Sequence, residues 1–318
     1  MIAHRGACGY RPEHTMAAYV LALALGADAL EVDVVPTADG ELVCRHEADL
    51  AVSTDVAAHP DLAGRRDTRG GVTSWFVDDL TLEEVRRLRA RETRPQLRAD
   101  NTRYDSWFAV PTLTQVLDLI EAESRSRGEV VGLHVETKRP AAFAACGIPV
   151  EPLVTALLRE RHLDRPNGPV LVQSFDAAHL RALASRTSIP LMQLVDAVPG
   201  HAAMLTPAGL REVSTYAAGV GLRKDLLLPR DADGRLSDGD TGAERVEQAH
   251  RAGLSVSVWT LRDENAYLPL DLRSGRRPGA KGDAPAEVLL AAQTGVDGLI
   301  TDHVDTALET LAALHDAE

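Results

Sequence analysis

The chain contains 318 residues, 45% of them hydrophobic, and carries a formal net charge of −13. This length is normal for one α/β barrel, and the hydrophobic fraction is ample for a large core. The negative charge argues against a surface that binds nucleic acid or anionic membranes, and no run approaches the ~18 apolar residues of a membrane span.

The chain begins with a predicted strand, residues 1–4, which ends at His4 and is followed by Arg5. A strand-like start is unlike a signal peptide. We therefore expect a cytoplasmic protein, or a secreted or periplasmic one if a leader was removed. A helix comes next, because Thr15 has the chemistry of an N-cap and Gly26 that of a helix end.

Residues 29–46 carry the most informative pattern in the chain. Apolar and polar residues alternate in the first half, which predicts a strand with Glu31 and Asp33 on one face. The turn at residues 37–40 is too short for a parallel crossover, so the chain returns antiparallel and brings His46 roughly opposite Asp33. Two carboxylates on a buried face repel each other unless a cation joins them, and oxygen ligands suit Ca²⁺ or Mg²⁺. The alternative is a surface hairpin with solvated acids.

Residues 49–107 are polar and irregular, with one clear predicted helix at 81–91. Thr81 and Glu84 have the spacing of a capping box at the start of that helix. Irregular segments of this length inside a compact domain are usually functional or carry a subdomain. Because the segment follows directly after His46, we expect it to cap one end of the fold and not to add a barrel strand.

The rest of the chain alternates between predicted helices and strands. The helices are at residues 111–123, 150–161, 176–186, 204–217, 241–252, 285–294 and 304–314. The strands are at residues 130–138, 169–174, 191–195, 219–222, 254–259 and 298–301, and residues 262–283 form a second long loop.

Eight strands alternating with helices are typical of a (β/α)8 TIM barrel, and we predict one such domain over residues 1–318 with 49–107 as its cap. A doubly wound sheet also alternates but does not need eight repeats. TIM barrels place their chemistry at the carboxyl ends of the strands. Polar or aromatic residues stand at these ends: His4, Arg5, Asp33, Glu136, Lys138, Gln173, Ser174, Trp259, Thr301 and Asp302.

Some of these residues have two interpretations. Arg5 is an ion-pair partner of Glu13 or Asp302, or a phosphate ligand, and we favour the phosphate ligand. We interpret Asp302 as a helix N-cap, and Trp259 as a wall of a substrate site with core packing as the alternative. His134 is either a pocket residue or a buried, hydrogen-bonded one.

Six segments, in order, carry a resemblance to a known family: HRGACGYRPEHT, EVDVVPTADGELVCRHEADL, VETK, QSF, VWT and LITD. They resemble the glycerophosphodiester phosphodiesterases, most of all the bacterial periplasmic branch, from His4 to about Asp305. The resemblance implies a TIM barrel with an inserted cap. It also implies hydrolysis of glycerophosphodiesters to sn-glycerol 3-phosphate and an alcohol. Departures at Glu47, where Asp is usual, and at Val52, where a basic residue is common, bear on substrate preference.

The resemblance also implies a set of site residues. Glu31, Asp33 and Glu136 would bind one divalent cation, Ca²⁺ or Mg²⁺. His4 and His46 would act as acid and base, and Arg5 and Lys138 would contact the phosphate. This set suits phosphodiester cleavage, because a cation polarises phosphoryl oxygens and each positioned proton transfer typically contributes ~10²–10⁴-fold. The attacking oxygen is either water or the vicinal hydroxyl of glycerol.

Two alternatives differ in class. One is a phospholipase D-like or phosphoinositide-cleaving barrel, which would act on bilayer lipids and need an apolar or basic rim. The other is a barrel that binds phosphodiesters without cleaving them. We expect a small soluble substrate, no nucleic acid and no stable membrane association. The sequence leaves the headgroup alcohol, the native metal and the oligomeric state open.

Overall fold

The computed structural model describes residues 1–237 and 242–315, and its centre is a barrel of eight parallel strands. The strands are β1 (Ile2–His4), β2 (Ala29–Pro36), β3 (Leu42–Cys44), β4 (Asp67–Arg69), β5 (Val72–Ser74), β6 (Gly132–Thr137), β7 (Val170–Ser174), β8 (Leu191–Val195), β9 (Gly219–Arg223), β10 (Ser255–Leu261) and β11 (Gly298–Thr301).

Helices connect these strands. They are α1 (Met16–Ala24), α2 (Leu50–Ser53), α3 (Leu82–Arg87), α4 (Leu113–Arg127), α5 (Pro140–Ala145), α6 (Val150–Glu160), α7 (Ala177–Ala184), α8 (Pro207–Val213), α9 (Ala243–Arg251), α10 (Ala284–Gln293) and α11 (Val304–His315). The barrel order is β1, β2, β6, β7, β8, β9, β10 and β11, and β11 closes it by pairing with β1. The predicted TIM barrel is confirmed.

Strand β2 shows how the sequence specifies this arrangement. All of its residues are buried, as expected for a strand covered on both faces. Leu30, Val32 and Val34 belong to the apolar core, while the alternate positions Glu31 and Asp33 form the second face. Two acids therefore lie inside a strand that is otherwise apolar.

The hairpin after β2 differs from the prediction by one residue. Strand β3 is antiparallel to β2 as predicted, with Val34 opposite Cys44. The Arg45 backbone N–H donates to the Asp33 carbonyl over 3.0 Å, so Arg45, and not His46, stands opposite Asp33. The turn is centred on Asp39, half a residue earlier than the predicted register requires. His46 consequently lies one position further along the return arm.

Two predicted helices have different ends in the structure. The capping box between Thr81 and Glu84 is present, but α3 stops at Arg87. The residues after it make isolated β-bridges, Ala90 with Thr54 and Arg89 with Ala109, which hold the backbone extended. Helix α4, in contrast, extends to Arg127, where ion pairs with i,i+4 spacing support the last turn and Gly128 at φ 69° ends it.

Other differences lie after residue 138. Helix α5 was not predicted. The helix predicted at 204–217 is shorter, because Thr206 caps α8 and Pro207 opens it, while Pro199–Leu205 forms a 3₁₀ helix. The predicted start of the next helix at Thr241 lies outside the described residues.

Residues 49–107, called the insertion below, contain α2, the hairpin of β4 and β5, and α3. The insertion contacts residues that follow the carboxyl ends of barrel strands. Arg98 makes the main contacts, with Glu264 after β10, Asp302 after β11 and the backbone carbonyl of Cys8 after β1. Its side chain is 3% exposed. Arg98 thus ties the insertion to three strand ends.

We predict that Arg98→Gln lowers the free energy of unfolding by about 3–5 kcal/mol, because it removes the ion-pair partner of the buried Glu264 and one of the positive charges on the buried Asp302. The control is Arg87→Gln, which removes an exposed ion pair with Asp61 inside the insertion and should cost less than about 1 kcal/mol. Urea unfolding measures both, and limited proteolysis should cut the insertion first in Arg98→Gln. Equal losses in the two variants would contradict this account.

Candidate active site

A cavity of about 330 Å³ opens at the carboxyl ends of the barrel strands. All but one of the residues predicted for the site line it: His4, Arg5, Glu31, His46, Glu136, Lys138 and Trp259. The remaining residue, Asp33, is fully buried and lies below the cavity surface. The structure therefore brings the predicted set together from β1, β2, β6 and β10 and the segment after β3. His134 does not line the cavity, and burial lowers its pKa to about 4.

The loop after β1 positions Arg5 through an unusual backbone. Arg5 and Gly6 have φ values of 57° and 81°, in the left-handed region. A Cβ atom at Gly6 would lie 2.6 Å from the backbone carbon of Ala18, so only glycine allows this close approach to α1. The Arg5 backbone N–H donates to the carboxylate of Glu31 over 3.1 Å. The close approach to α1 explains the glycine of the sequence His4-Arg5-Gly6.

The Arg5 guanidinium is anchored on its inner side. Its Nη1 donates to Glu13 Oε2 over 3.0 Å, and its Nε lies 3.0 Å from Asp33 Oδ2. The ion pair with Glu13, one of the two interpretations, is therefore present. Arg5 also lines the cavity, so the ion pair orients the group without removing it from the site.

Three carboxylates meet beside Arg5. One oxygen each of Glu31, Asp33 and Glu136 lies within 4.8 Å of the others, and all three residues are buried. The register explains the meeting, because Asp33 on β2 stands directly opposite Glu136 on β6. Asp33 Oδ1 is buried without a hydrogen-bond partner in the described part of the chain.

Protonation of the cluster is uneven. Burial, reinforced by repulsion from Asp33, raises the pKa of Glu31 well above its usual range, and burial raises that of Glu136 to about 7. Burial also favours neutral Asp33, but the charges of Lys138 and Arg5 outweigh it and hold the Asp33 pKa well below its usual range. Such a cluster is fully ionised only when more positive charge is supplied. A hard divalent cation fits the all-oxygen donor set.

Polar neighbours fix the cluster further. Lys138 Nζ donates to Glu136 Oε1 over 2.6 Å and lies 3.6 Å from Asp33 Oδ1. His14 Nε2 is 2.9 Å from Asp33 Oδ2, and its Nδ1 is 2.8 Å from the Tyr19 hydroxyl. Burial lowers the pKa of His14 to about 4, so the neutral ring donates Nε2–H to Asp33. His14 was not among the residues predicted for the site, although it lies in the PEHT segment.

His4 is held by Asp302. Its Nδ1 lies 2.6 Å from Asp302 Oδ1, while Arg98 and Arg262 both donate to Oδ2 of the same carboxylate. Asp302 was predicted to be a helix N-cap, and this prediction is wrong. It is 0% exposed, and its carboxylate contacts the side chains of His4, Arg98 and Arg262. Burial, with help from Arg5, lowers the pKa of His4 to about 3. His4 is therefore neutral near neutral pH, with Nδ1–H donated to Asp302 and Nε2 left for the cavity.

His46 has the same pattern in a more open place. Its Nδ1 lies 2.6 Å from Glu47 Oε1, and its side chain is 30% exposed. Glu47, the departure from the usual Asp, is thus the partner of this ring. Both histidines keep Nε2 as the nitrogen without a hydrogen bond among the described residues.

The far side of the cavity was mostly not foreseen. Trp259 lines it, donates Nε1–H to the Gly221 carbonyl over 2.9 Å and meets Phe175 edge-on at 5.5 Å between ring centroids. Other lining residues end β9 or follow β9 or β10 and were not predicted: Arg223, Lys224, Asp225, Arg230, Arg262 and Tyr267. Position after a barrel strand was the available signal, but charged loop residues are too common to single these out.

Residues 4–306 match the sequence profile of the glycerophosphoryl diester phosphodiesterase family. The chain belongs to this family. It is 30% identical to glycerophosphodiester phosphodiesterase GDPD6 of Arabidopsis thaliana, over 95% of this chain and 82% of that protein. It is 27% identical to a glycerophosphodiester phosphodiesterase of Haemophilus influenzae, over 99% of this chain and 90% of that protein. The chain is accordingly an enzyme, a glycerophosphodiester phosphodiesterase of the phosphoric diester hydrolases.

Solved structures share the fold. A protein of Silicibacter pomeroyi superposes with a TM-score of 0.71 at 24% identity, covering 99% of this chain and 93% of that one. A phosphodiesterase of Oleispira antarctica, solved in complex with the product sn-glycerol-3-phosphate, superposes with a TM-score of 0.64 at 20% identity, covering 98% and 96%. Among residues 1–237 and 242–315, no helix has the length and apolar character needed to cross a membrane.

The contact with Asp302 predicts one tautomer of His4. Between about pH 6 and pH 8, ¹⁵N NMR of the metal-free protein should show a neutral ring with the proton on Nδ1, because these pH values lie far above the lowered pKa. Asp302→Ala should mix the two tautomers. The matched control Asp297→Ala removes the carboxylate beside His250 and should leave the His4 signals unchanged. A charged His4 ring in this pH range would contradict the assignment.

Proposed function

We propose that the chain hydrolyses glycerophosphodiesters to sn-glycerol 3-phosphate and an alcohol, with a divalent cation and two acid–base histidines. The observation that carries the proposal is the meeting of Glu31, Asp33 and Glu136 beside two histidines whose Nδ1 atoms are both paired with carboxylates. The product in the Oleispira antarctica structure supports the choice of sn-glycerol 3-phosphate.

The carboxylate cluster is the proposed metal site. Glu31, Asp33 and Glu136 would hold one cation, Ca²⁺ or Mg²⁺, and Asp33 Oδ1, which accepts no hydrogen bond within the described residues, is a donor that a cation would satisfy. When bound, the cation would polarise the phosphoryl oxygens and neutralise charge in the transition state. Burial and raised pKa values at two of the three acids support the need for added positive charge.

Arg5 and Lys138 are the proposed phosphate ligands. Arg5 presents a planar fork that matches two phosphate oxygens, and Lys138 adds a point charge from β6 on the opposite side of the carboxylates. Both line the cavity, and each is held by a buried carboxylate, Arg5 by Glu13 and Lys138 by Glu136. Their positions are therefore fixed before substrate arrives, which lowers the entropic cost of orienting the phosphodiester.

The two histidines have different proposed roles. His4 is buried, neutral and oriented by Asp302, so its Nε2 accepts the proton of the attacking oxygen, either water or the vicinal hydroxyl of glycerol. His46 is partly exposed, and its Nδ1 contacts Glu47, which leaves Nε2 for the cavity, so we assign to it the donation of a proton to the leaving alkoxide. Asp302 stabilises the imidazolium that forms on His4.

Residues 49–107 are the proposed cap of a single TIM-barrel domain over residues 1–318. Arg98 joins the insertion to residues after β1, β10 and β11, and Arg94 lies 3.5 Å from Glu13 after β1. These contacts support a position over the mouth, where the insertion limits access to small soluble diesters and shields the reaction from water. Trp259 serves as a wall of the substrate site.

The first test is product release. With Ca²⁺ or Mg²⁺ present, we expect sn-glycerol 3-phosphate from several soluble glycerophosphodiesters, no cleavage of intact phospholipid in vesicles, and loss of activity with EDTA. The same ions should raise Tm by linkage, and Asp33→Asn should abolish that rise. No glycerol phosphate from any soluble diester would refute the function, and preferred cleavage of bilayer lipid would favour the phospholipase alternative.

The second test separates the acid from the base. His4→Ala and His46→Ala should each lower kcat on glycerophosphocholine by about 10²–10⁴-fold with little change in KM. The leaving group of a p-nitrophenyl ester, p-nitrophenolate, needs little protonation. On that substrate His46→Ala should therefore recover most of its activity, whereas His4→Ala should not. The matched control, His250→Ala, removes an exposed histidine paired with Asp297 and should retain full kcat. Near-full kcat in both site variants would make these histidines structural.

A further inference from the structure

The cavity has a second half whose chemistry differs from that of the carboxylate cluster. Four cationic residues line this half, here called the basic half: Arg223, Lys224, Arg230 and Arg262. They stand at or after the carboxyl ends of β9 and β10, whereas the acids and histidines come from the β1, β2 and β6 side. Strands β7 and β8 separate the two groups on one side of the barrel and β11 on the other. The basic half therefore lies across the mouth from the proposed phosphate site.

Most counter-ions of the basic half lie behind it. Lys224 Nζ donates to both oxygens of Glu287, over 2.8 and 2.7 Å, and Arg262 Nε donates to Asp302 over 2.7 Å. Neither Glu287 nor Asp302 lines the cavity, and they are 1% and 0% exposed. Asp225 is the acidic residue that lines this half. Arg223 pairs with Asp196 as well as with Asp225, and Asp196 does not line the cavity. Among the described residues, four cations and one carboxylate therefore line this half.

Hydrogen-bond donors remain available on this wall. Arg230 Nη2 donates to the Tyr267 carbonyl and its buried Nε lies 3.3 Å from Asp225 Oδ1, whereas its Nη1 makes no hydrogen bond in the described part of the chain. Arg262 donates one hydrogen bond, through Nε, and its two Nη atoms make none within the same described residues. Guanidinium groups with free N–H donors match the oxygens of a phosphate.

Two aromatic rings that line the cavity, those of Tyr267 and Phe175, are poorly placed to bind a cationic headgroup. The Tyr267 face already carries the guanidinium groups of Arg262 at 4.5 Å and Arg94 at 6.0 Å. Lys138 Nζ stands 5.8 Å from the centroid of Phe175. A quaternary ammonium would compete with these cations for the ring faces and would be repelled by them. Choline is thus a poor match for the ring faces of Tyr267 and Phe175.

We propose that the basic half binds a phosphate group carried by the leaving alcohol, so that the preferred substrates are glycerophosphodiesters whose second alcohol is itself phosphorylated. This inference rests on the proposed function. Glycerol is neutral in every such diester, so only the second alcohol can bring negative charge to this wall. Arg230 and Arg223 are the specificity-determining residues, and Arg262 is shared with the support of His4.

The test compares three soluble substrates: glycerophosphoglycerol, the same diester with a phosphate on its second glycerol, and glycerophosphocholine. The wild type should favour the phosphorylated diester over the neutral one by at least about tenfold in kcat/KM. Arg230→Gln should remove about tenfold of that preference and change kcat/KM for the neutral diester less than about threefold. Arg230→Lys should keep part of the preference.

Two further variants complete the design. Arg223 lies nearer the rim, and 44% of its side chain is exposed. Arg223→Gln should show the same selective loss and serves as the test if Arg230→Gln fails to fold. The matched control is Arg251→Gln on α9, an exposed arginine paired with Glu247 outside the cavity, which should change nothing.

The outcomes separate the inference from the function on which it rests. Equal loss on all three substrates would mean that the basic half binds the shared glycerol, and it would overturn the inference. So would a wild-type preference for the choline ester. If none of the three were cleaved with metal present, the proposed function itself would fall, and the inference with it.

Discussion

Mutual repulsion among three buried carboxylates is the constraint on which the rest of the site depends. Glu31, Asp33 and Glu136 share a small volume at the end of β2 and β6, where low dielectric strengthens their repulsion. Arg5 and Lys138 offset part of it from opposite sides. The left-handed backbone after β1, which brings Arg5 to this place, follows from the same need. A cluster compensated only in part by its own chain is suited to bind both a cation and, beyond it, an anion.

The cavity distributes its charges in ion pairs whose members face different ways. At the carboxylate cluster both signs line the cavity, with Glu31 and Glu136 beside Arg5 and Lys138, whereas at the basic half the bases line the cavity and the acids Glu287 and Asp302 lie behind them. A chain of net charge −13 can therefore present a positive surface to a phosphorylated ligand without a general excess of basic residues. Overall charge describes the outer surface and says little about this site.

Local patterns in the sequence predicted what local forces decide. The eight-strand barrel, the shared face of Glu31 and Asp33, and the capping box at Thr81 all follow from periodicity or from spacings of a few residues. Partners distant in sequence could not be predicted this way. Asp302 was interpreted as an N-cap because Arg98, 204 residues away, is not visible to a local pattern. The hairpin register was missed by one residue, because the centre of a turn rich in turn-forming residues is weakly specified.

The position of Asp302 has a consequence for how the enzyme is assembled. One carboxylate receives His4 from the first strand, Arg98 from the insertion and Arg262 from the loop after β10. Detachment of the insertion would withdraw one positive charge from Asp302 and loosen the residue that sets the His4 tautomer. If residues 49–107 cap the mouth and His4 is the base, as proposed, then closure over the mouth and orientation of the base depend on the same carboxylate. A protein with the insertion detached would then expose the site to water and hold its proposed base less firmly at the same time.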